Sequence, residues 1–152
     1  MLLQRINRTD PEKIFINVQN IQGSTLTATY PCCFTGDAAA GSHGLAVVQP
    51  ATSLLPLFAG IAKDTIADDG YGLVQAYGVA SAIVNGGGNS VLSLNGMGLG
   101  PAAGSWSLQS AGGGGFPKDG VGNINSAQPL CMLLDTVASG VNATRNVFVR
   151  AM

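Results

Sequence analysis

Leu57-Phe-Ala-Gly-Ile-Ala-Lys-Asp-Thr-Ile-Ala-Asp-Asp-Gly-Tyr-Gly-Leu-Val-Gln-Ala-Tyr-Gly-Val-Ala-Ser-Ala-Ile-Val84 decides the class of fold. An apolar run from Leu57 to Ala62 meets an acidic turn over Lys63 to Gly70, and a long alternating segment then runs from Tyr71 to Val84. Alternation at a period of two marks a strand with distinct faces, and Asp-Gly is turn chemistry. Leu73, Gln75, Tyr77 and Val79 share one face; Val74, Ala76, Gly78 and Ala80 share the other. The second set is mostly small, which permits close approach of another sheet or chain.

On the amino-terminal side the same pattern continues. Ile14, Ile16 and Val18 alternate with Phe15, Asn17 and Gln19; Gln22-Gly23-Ser24 supplies a turn, and Thr25 to Tyr30 alternates again, which predicts a hairpin. Gly36 to Gly44 is small and polar, hence a loop. Leu45 to Val48 and Leu54 to Ile61 are short apolar runs that Pro50 and Pro56 confine to sheet edges or strand starts. On the carboxyl-terminal side, Asn85 to Asn89 punctuates the chain and Val91 to Leu94 reads as a brief strand. Met97 to Gly104 reads as a Gly-Pro loop, Trp106 to Leu108 as a strand and Ala111 to Pro117 as a loop. Pro129 to Leu134, Val137 and Asn146 to Val149 close the chain as further β segments. No segment has the pattern of an amphipathic helix, and no repeat recurs at a fixed period. The prediction is an all-β protein, a small antiparallel barrel or sandwich with Gly-rich loops. Residues 1–13 carry Arg5, Arg8, Asp10, Glu12 and Lys13 ahead of any strand pattern and read as an N-terminal arm; residues 14–152 read as a single β domain.

Charge is the chain's scarcest property. Seven Lys and Arg and eight Asp and Glu make up 10% of 152 residues, against about 25% in an ordinary soluble domain. Between Gly70 and Pro117 there is no charged side chain in 48 residues. A monomer normally stays soluble through a well-charged surface, so this composition predicts a surface that is covered, by copies of itself or by a larger body. The uncharged run is expected to supply much of that interface. The seven basic residues are scattered from Arg5 to Arg150, which excludes a nucleic-acid footprint. No stretch is long and apolar enough for a membrane helix, and the first residues lack a signal peptide's pattern, so the expected place of synthesis and residence is the cytoplasm.

Sites of chemistry are hard to find. The single histidine, His43, stands beside Ser42 and six residues after Asp37, but a catalytic triad rarely assembles from neighbours this close in sequence. Asp64, Asp68 and Asp69 lack the Asp-x-Asp/Asn-x-Asp/Asn-Gly run of a calcium loop and read as a solvated turn. Gly86 to Gly88 and Gly112 to Gly115 are not phosphate cradles, since no Lys-Ser or Lys-Thr follows. Cys32, Cys33 and Cys131 are odd in number and lack a paired spacing, so they read as buried thiols. The expectation is no catalytic residue, no cofactor and no metal. Contact surface is the better use for the remaining candidates: Tyr71 and Tyr77, the small face of Val74, Ala76, Gly78 and Ala80, and Trp106 and Phe116 in their Gly-rich surroundings.

The run from Phe58 to Val84 resembles a pattern of small capsid decoration, or cement, proteins of tailed bacteriophages. In that pattern a strand ending in Gly-x-Ala, here Gly60-Ile61-Ala62, leads through an acidic turn to a Gly-x-Val-Gln-x-x-Gly strand, here Gly72 to Gly78. The resemblance implies a β-rich module, often a homotrimer, that sits on the surface of an icosahedral capsid and binds the major capsid protein between capsomers. It carries no catalytic residues, and it implies synthesis in the host cytoplasm followed by assembly into the virion. The alternative is a carbohydrate-binding or adhesive β-sandwich, displayed on a virion or cell surface, that uses Tyr71, Tyr77 or Trp106. An esterase-like enzyme built on Ser42 and His43 is the third reading.

Overall fold

The computed structural model describes residues 12–35, 45–86, 97–110, 130–138 and 140–151, and they form an all-β structure. Five strands make the first barrel: β1 (Ile14–Asn20), β2 (Pro31–Phe34), β3 (Ala46–Val48), β4 (Phe58–Ala62) and β5 (Tyr71–Asn85). They pair in the order β1-β3-β2-β4-β5, and β1 then pairs with β5 to close the ring. Closure removes the free edges that would otherwise recruit another strand. Val18, Leu26, Cys32, Val47, Ala59, Ala62, Ile66 and Val74 fill the interior.

The 15-residue strand β5 does not stop at that barrel. Beyond Tyr77 it enters a second circuit of pairings with β6 (Gly98–Pro101), β7 (Leu108–Ser110), β8 (Cys131–Leu133) and β9 (Asn142–Arg150). The order there is β5-β7-β6-β8-β9, closed by β5 on β9. This is the order of the first barrel with every number raised by four. The senses agree as well: β1–β3 and β5–β7 are parallel, and every other pairing is antiparallel. The molecule is therefore a tandem of two barrels of one topology, and β5 is the last strand of the first and the first strand of the second. The expectation of no repeat holds for the spacing of the sequence and fails for the topology. Two parallel pairings also qualify the antiparallel prediction.

The turns repeat with the strands. Asp64-Thr65-Ile66-Ala67 leads into β5 and Asp135-Thr136-Val137-Ala138 leads into β9, and in each the aliphatic residue is fully buried. Three residues later the backbone turns to positive φ, at Asp69 (57°) and Gly140 (73°). A third version precedes β2, where buried Leu26 is followed by Thr29 at 74°. Leu26 and Ile66 form a lone antiparallel bridge. The predicted hairpin of β1 with Thr25 to Tyr30 is therefore corrected: that segment is a bridge and a turn, and β1 pairs with β3 and β5 instead.

Asn20 explains why β1 ends where it does. It is wholly buried, and its Nδ2 donates to the carbonyls of Ser24 (2.7 Å), Ile66 (3.1 Å) and Ala67 (3.2 Å) while its Oδ1 accepts from the Gln22 amide. One side chain thus ties the turn after β1 to the turn before β5. The matching register position in the second barrel is Gly86, whose amide donates to Val141 as the Asn20 amide does to Gly70. A Cβ there would collide with the Ala138 carbonyl, so the second barrel replaces the amide bridge with direct approach.

The barrels share a core boundary. Cys32 faces the first interior, whereas its neighbour Cys33, with Phe58 and Ile61 of β4, packs with Leu99, Leu108, Leu133, Val147 and Val149 of the second. Strand β4 is buried along its whole length because barrel interior lies on one side and the second barrel on the other. A 3-10 turn over Thr52–Leu57 takes the place of the strand start predicted around Pro56. The predicted loop over Met97 to Gly104 contains β6, which Leu99 anchors in the core, and the predicted strand at Trp106 begins only at Leu108.

Candidate interaction surface

Facing positions on β1 and β5 build an outer sheet face of the first barrel. Gln19 lies opposite Tyr71, Asn17 opposite Leu73 and Phe15 opposite Gln75. Since Val18, Val74 and Ile16 point inward or toward the core, Phe15, Asn17, Gln19, Tyr71 and Leu73 point out, whereas Gln75, at a register shift, is buried. Tyr71 is 59% exposed, Leu73 41% and Phe15 38%, and Asn17 and Gln19 between them carry no charge. The Gln19 amide reaches the Asp69 carbonyl at 3.2 Å and fixes the turn at the end of this face. Isolated exposed apolar residues are ordinary, but three on one sheet face, with Lys63 beside Leu73 at its β4 edge, make an apolar patch with a charged rim of the kind that partners cover.

A second outer face lies across β8, β9 and β5, where Met132 stands opposite Phe148 and Phe148 opposite Val79. Tyr77 meets the Phe148 ring edge to face with centroids 5.2 Å apart. Tyr77 is half-buried in this contact and Met132 is exposed. Trp106 stacks on Tyr30 at 5.3 Å and packs on the first barrel's core, so much of its ring area is already spent inside the chain.

Val74, Ala76, Gly78 and Ala80 take a different place from the one their sizes indicated. All four are buried within this chain, with Val74 in the first interior and Ala80 in the second. Their smallness serves close approach inside the tandem: a Cβ on Gly78 would strike the Glu12 carbonyl where the chain enters β1. Sequence alternation separates two faces but does not say which faces solvent, and in β5 both barrels lie on the small side. The uncharged run from Gly70 to Pro117 accordingly goes largely into core among its described residues, and Tyr71 and Leu73 are the large apolar side chains it exposes there. Phe116, the arm residues 1–11, Ser42, His43 and Asp37 lie outside the described residues.

The remaining groups have structural partners. Asp68 Oδ1 accepts from the Gly23 amide at 2.8 Å, and Asp135 Oδ2 from the Asn146 amide at 2.9 Å, so these carboxylates fasten turns. Among the described residues no three His, Cys, Asp and Glu side chains group as metal ligands. All three cysteines are buried and unpaired. Desolvation pushes Cys33 up to about 12, and burial raises Cys32 and Cys131 further, so none is a thiolate near neutrality. No described helix is long and apolar enough to cross a membrane.

The fold resembles that of a phage head-fibre base. The crystal structure of the head fiber gp8.5 N base of bacteriophage phi29 aligns over 92% of this chain and 96% of that one, with a TM-score of 0.53 and 10% sequence identity. At that identity the likeness is one of fold, and its near-complete coverage of both chains takes in both barrels. No protein-family model and no curated protein sequence matches the chain.

Proposed function

We propose that this protein is a structural component of a tailed-phage virion: a decoration protein that stabilises an icosahedral capsid from its outer surface. In this reading it binds as a homo-oligomer, a homotrimer, between neighbouring copies of the major capsid protein. The observation that carries the reading is the end-to-end likeness of the tandem to a head-fibre base. The scarcity of charge and the exposed apolar Phe15–Leu73–Tyr71 patch support it, because both suit a chain whose surface is shared with siblings and shell. Closed barrels give a stiff body without free edges, which suits a clamp whose strength comes from many symmetric contacts rather than from one tight site.

Cryo-electron microscopy of the native particle tests the location, and the expected result is density for both barrels on the capsid exterior. Light scattering coupled to size exclusion tests the assembly, with a trimer expected. A Tyr71→Lys/Leu73→Lys double variant should shift that trimer toward monomer while retaining its β circular dichroism. A wild-type monomer at micromolar concentration would overturn the oligomeric reading, and particles lacking the chain would overturn the capsid role.

A further inference from the structure

Where the first barrel hands over to the second, β5 bends. Gly78 adopts φ 96°, and the buried Gln75 side chain folds back along its own strand, donating from Nε2 to the carbonyls of Tyr77 and Val79, both at 3.0 Å. The bend opens a crevice of about 240 Å³ between the barrels. Its walls come from five places in the chain: the entry to β1, the turn before β2, the end of β4, the bend of β5 and the middle of β9.

The chemistry of this crevice is unlike that of the rest of the surface. Lys13 and Lys63 line it, two of only four cations among the described residues, and no described carboxylate does. Two lysines at one concavity whose described lining holds no carboxylate raise the local potential for an anion. Thr29, Ser81 and Asn146 add hydroxyl and amide groups. Gln75 has spent both its donors on strand carbonyls, so its Oε1 is what it can offer, an acceptor for a hydroxyl. Half-buried Val79 supplies an apolar wall, with Ala80 and Ile61 of the core behind it. The volume lies below the roughly 300 Å³ at which drug-sized pockets begin, and fits about one ring.

We infer that this inter-barrel crevice binds an anionic monosaccharide or polyol unit. The lysines would hold the acidic group, the polar side chains would meet the hydroxyls, and the C–H face would lie on Val79. Lysine is a point charge without the planar fork of arginine, so the crevice selects charge and hydroxyls rather than one acid geometry. A carboxylated sugar and a phosphorylated one share that chemistry. The inference goes beyond the capsid role and stands apart from it: a surface-bound clamp that also holds acidic glycan would bring the particle to an acidic polymer.

Nitrogen-15 spectra of the full chain, titrated with glucuronic acid, glucose 6-phosphate, glucose and inorganic phosphate, test it. Both acids, or one of them, should shift the amides around Lys63, Ser81 and Asn146, and binding should weaken as salt rises to about 0.15 M. The arm that binds identifies carboxylate or phosphate as the acid. Glucose and inorganic phosphate should each bind about tenfold more weakly or worse, and the Lys13→Gln/Lys63→Gln double variant should lose about tenfold in affinity. Both lysines are exposed, so that variant keeps the fold, and its unchanged dispersion of amide signals would verify this. Equal binding of glucose, equal binding of inorganic phosphate, unchanged binding by the double variant, shifts confined to other residues, or no binding of either acid would each overturn the inference.

Discussion

Gly60 and Thr29 answer to the same backbone rule with opposite signs. Gly60 sits in the fully buried strand β4 at φ 139°, where a Cβ would be driven into the carbonyl of Gln75 on β5. Gly60→Ala should therefore cost about 3 kcal/mol or more, measured as a lowered urea midpoint, because neither a backbone carbonyl nor a positive φ can yield cheaply. Thr29 is a β-branched residue at φ 74°, a conformation that costs about 1–2 kcal/mol for side chains with a Cβ. Thr29→Gly should raise the midpoint, by about 0.5–1 kcal/mol after the extra unfolded-state entropy of glycine is subtracted. The buried thiols add a pH dependence. Their folded values lie above the ordinary 9.0, so they bind protons more tightly when folded. Their contribution is complete below pH 9 and is lost as pH rises from 9 through about 12, where Cys33 titrates. Stability should fall between pH 9 and about pH 12 by up to about 1.4 kcal/mol per thiol and pH unit, and Cys33→Ala should flatten that fall. At neutral pH the three thiols should stay silent to a disulfide reagent until denaturant is added.

At the scale of elements, the repeated unit is a turn that drops one aliphatic side chain into a barrel. Ile66 and Val137 occupy the same place in successive barrels, each introduced by Asp-Thr and followed by Ala. Ile66→Ala should destabilise the protein by about 2–5 kcal/mol, and Val137→Ala by roughly 2, read from thermal or urea unfolding. Equal insensitivity at the two positions would mean that the turns, and not their buried side chains, set the barrel ends. The strands these turns lead into were legible because Tyr71 to Val84 and Asn146 to Val149 alternate apolar and small or polar residues over a full strand length. Strand β6 was not, because Gly98, Gly100 and Pro101 read as loop and only Leu99 marks the core. Strand β2 was hidden for another reason. Pro31-Cys-Cys-Phe34 is buried on both faces and therefore shows no alternation. The repeat itself has no fixed period because matching connections differ in length, Phe34 to Ala46 in the first barrel against Pro101 to Leu108 in the second, leaving the Asp-Thr-Ile/Val-Ala turns as the signal. For the contact surface, Tyr71 was readable as an exposed ring, whereas Phe15 and Leu73 become a patch only through the β1–β5 register.

At the scale of the whole molecule, the consequence of sharing β5 is that neither barrel is complete without it. Its first half closes the first barrel against β1 and β4, and its second half closes the second against β7 and β9. Cys33, Phe58 and Ile61 then bury first-barrel residues in the second barrel's core, so opening either barrel exposes apolar surface of the other. Two modules joined by a linker would unfold in two steps, each with its own midpoint. This tandem should unfold in one. Leu133→Ala provides the test, since Leu133 lies wholly in the second barrel's core and its truncation should cost about 2–5 kcal/mol. Amide exchange in the β5–β9 ladder must accelerate whether or not the barrels are coupled. The discriminating reading is the β1–β5 ladder in the first barrel, whose slowest amides should accelerate by the same factor if opening is global. Unchanged protection there would show that the first barrel survives the opening of the second, and that β5 divides at Gly78 into two independently held halves. A body that instead opens only as a whole is stiff across both barrels, which is the property the proposed capsid clamp requires if strain at one contact is to be carried to the next.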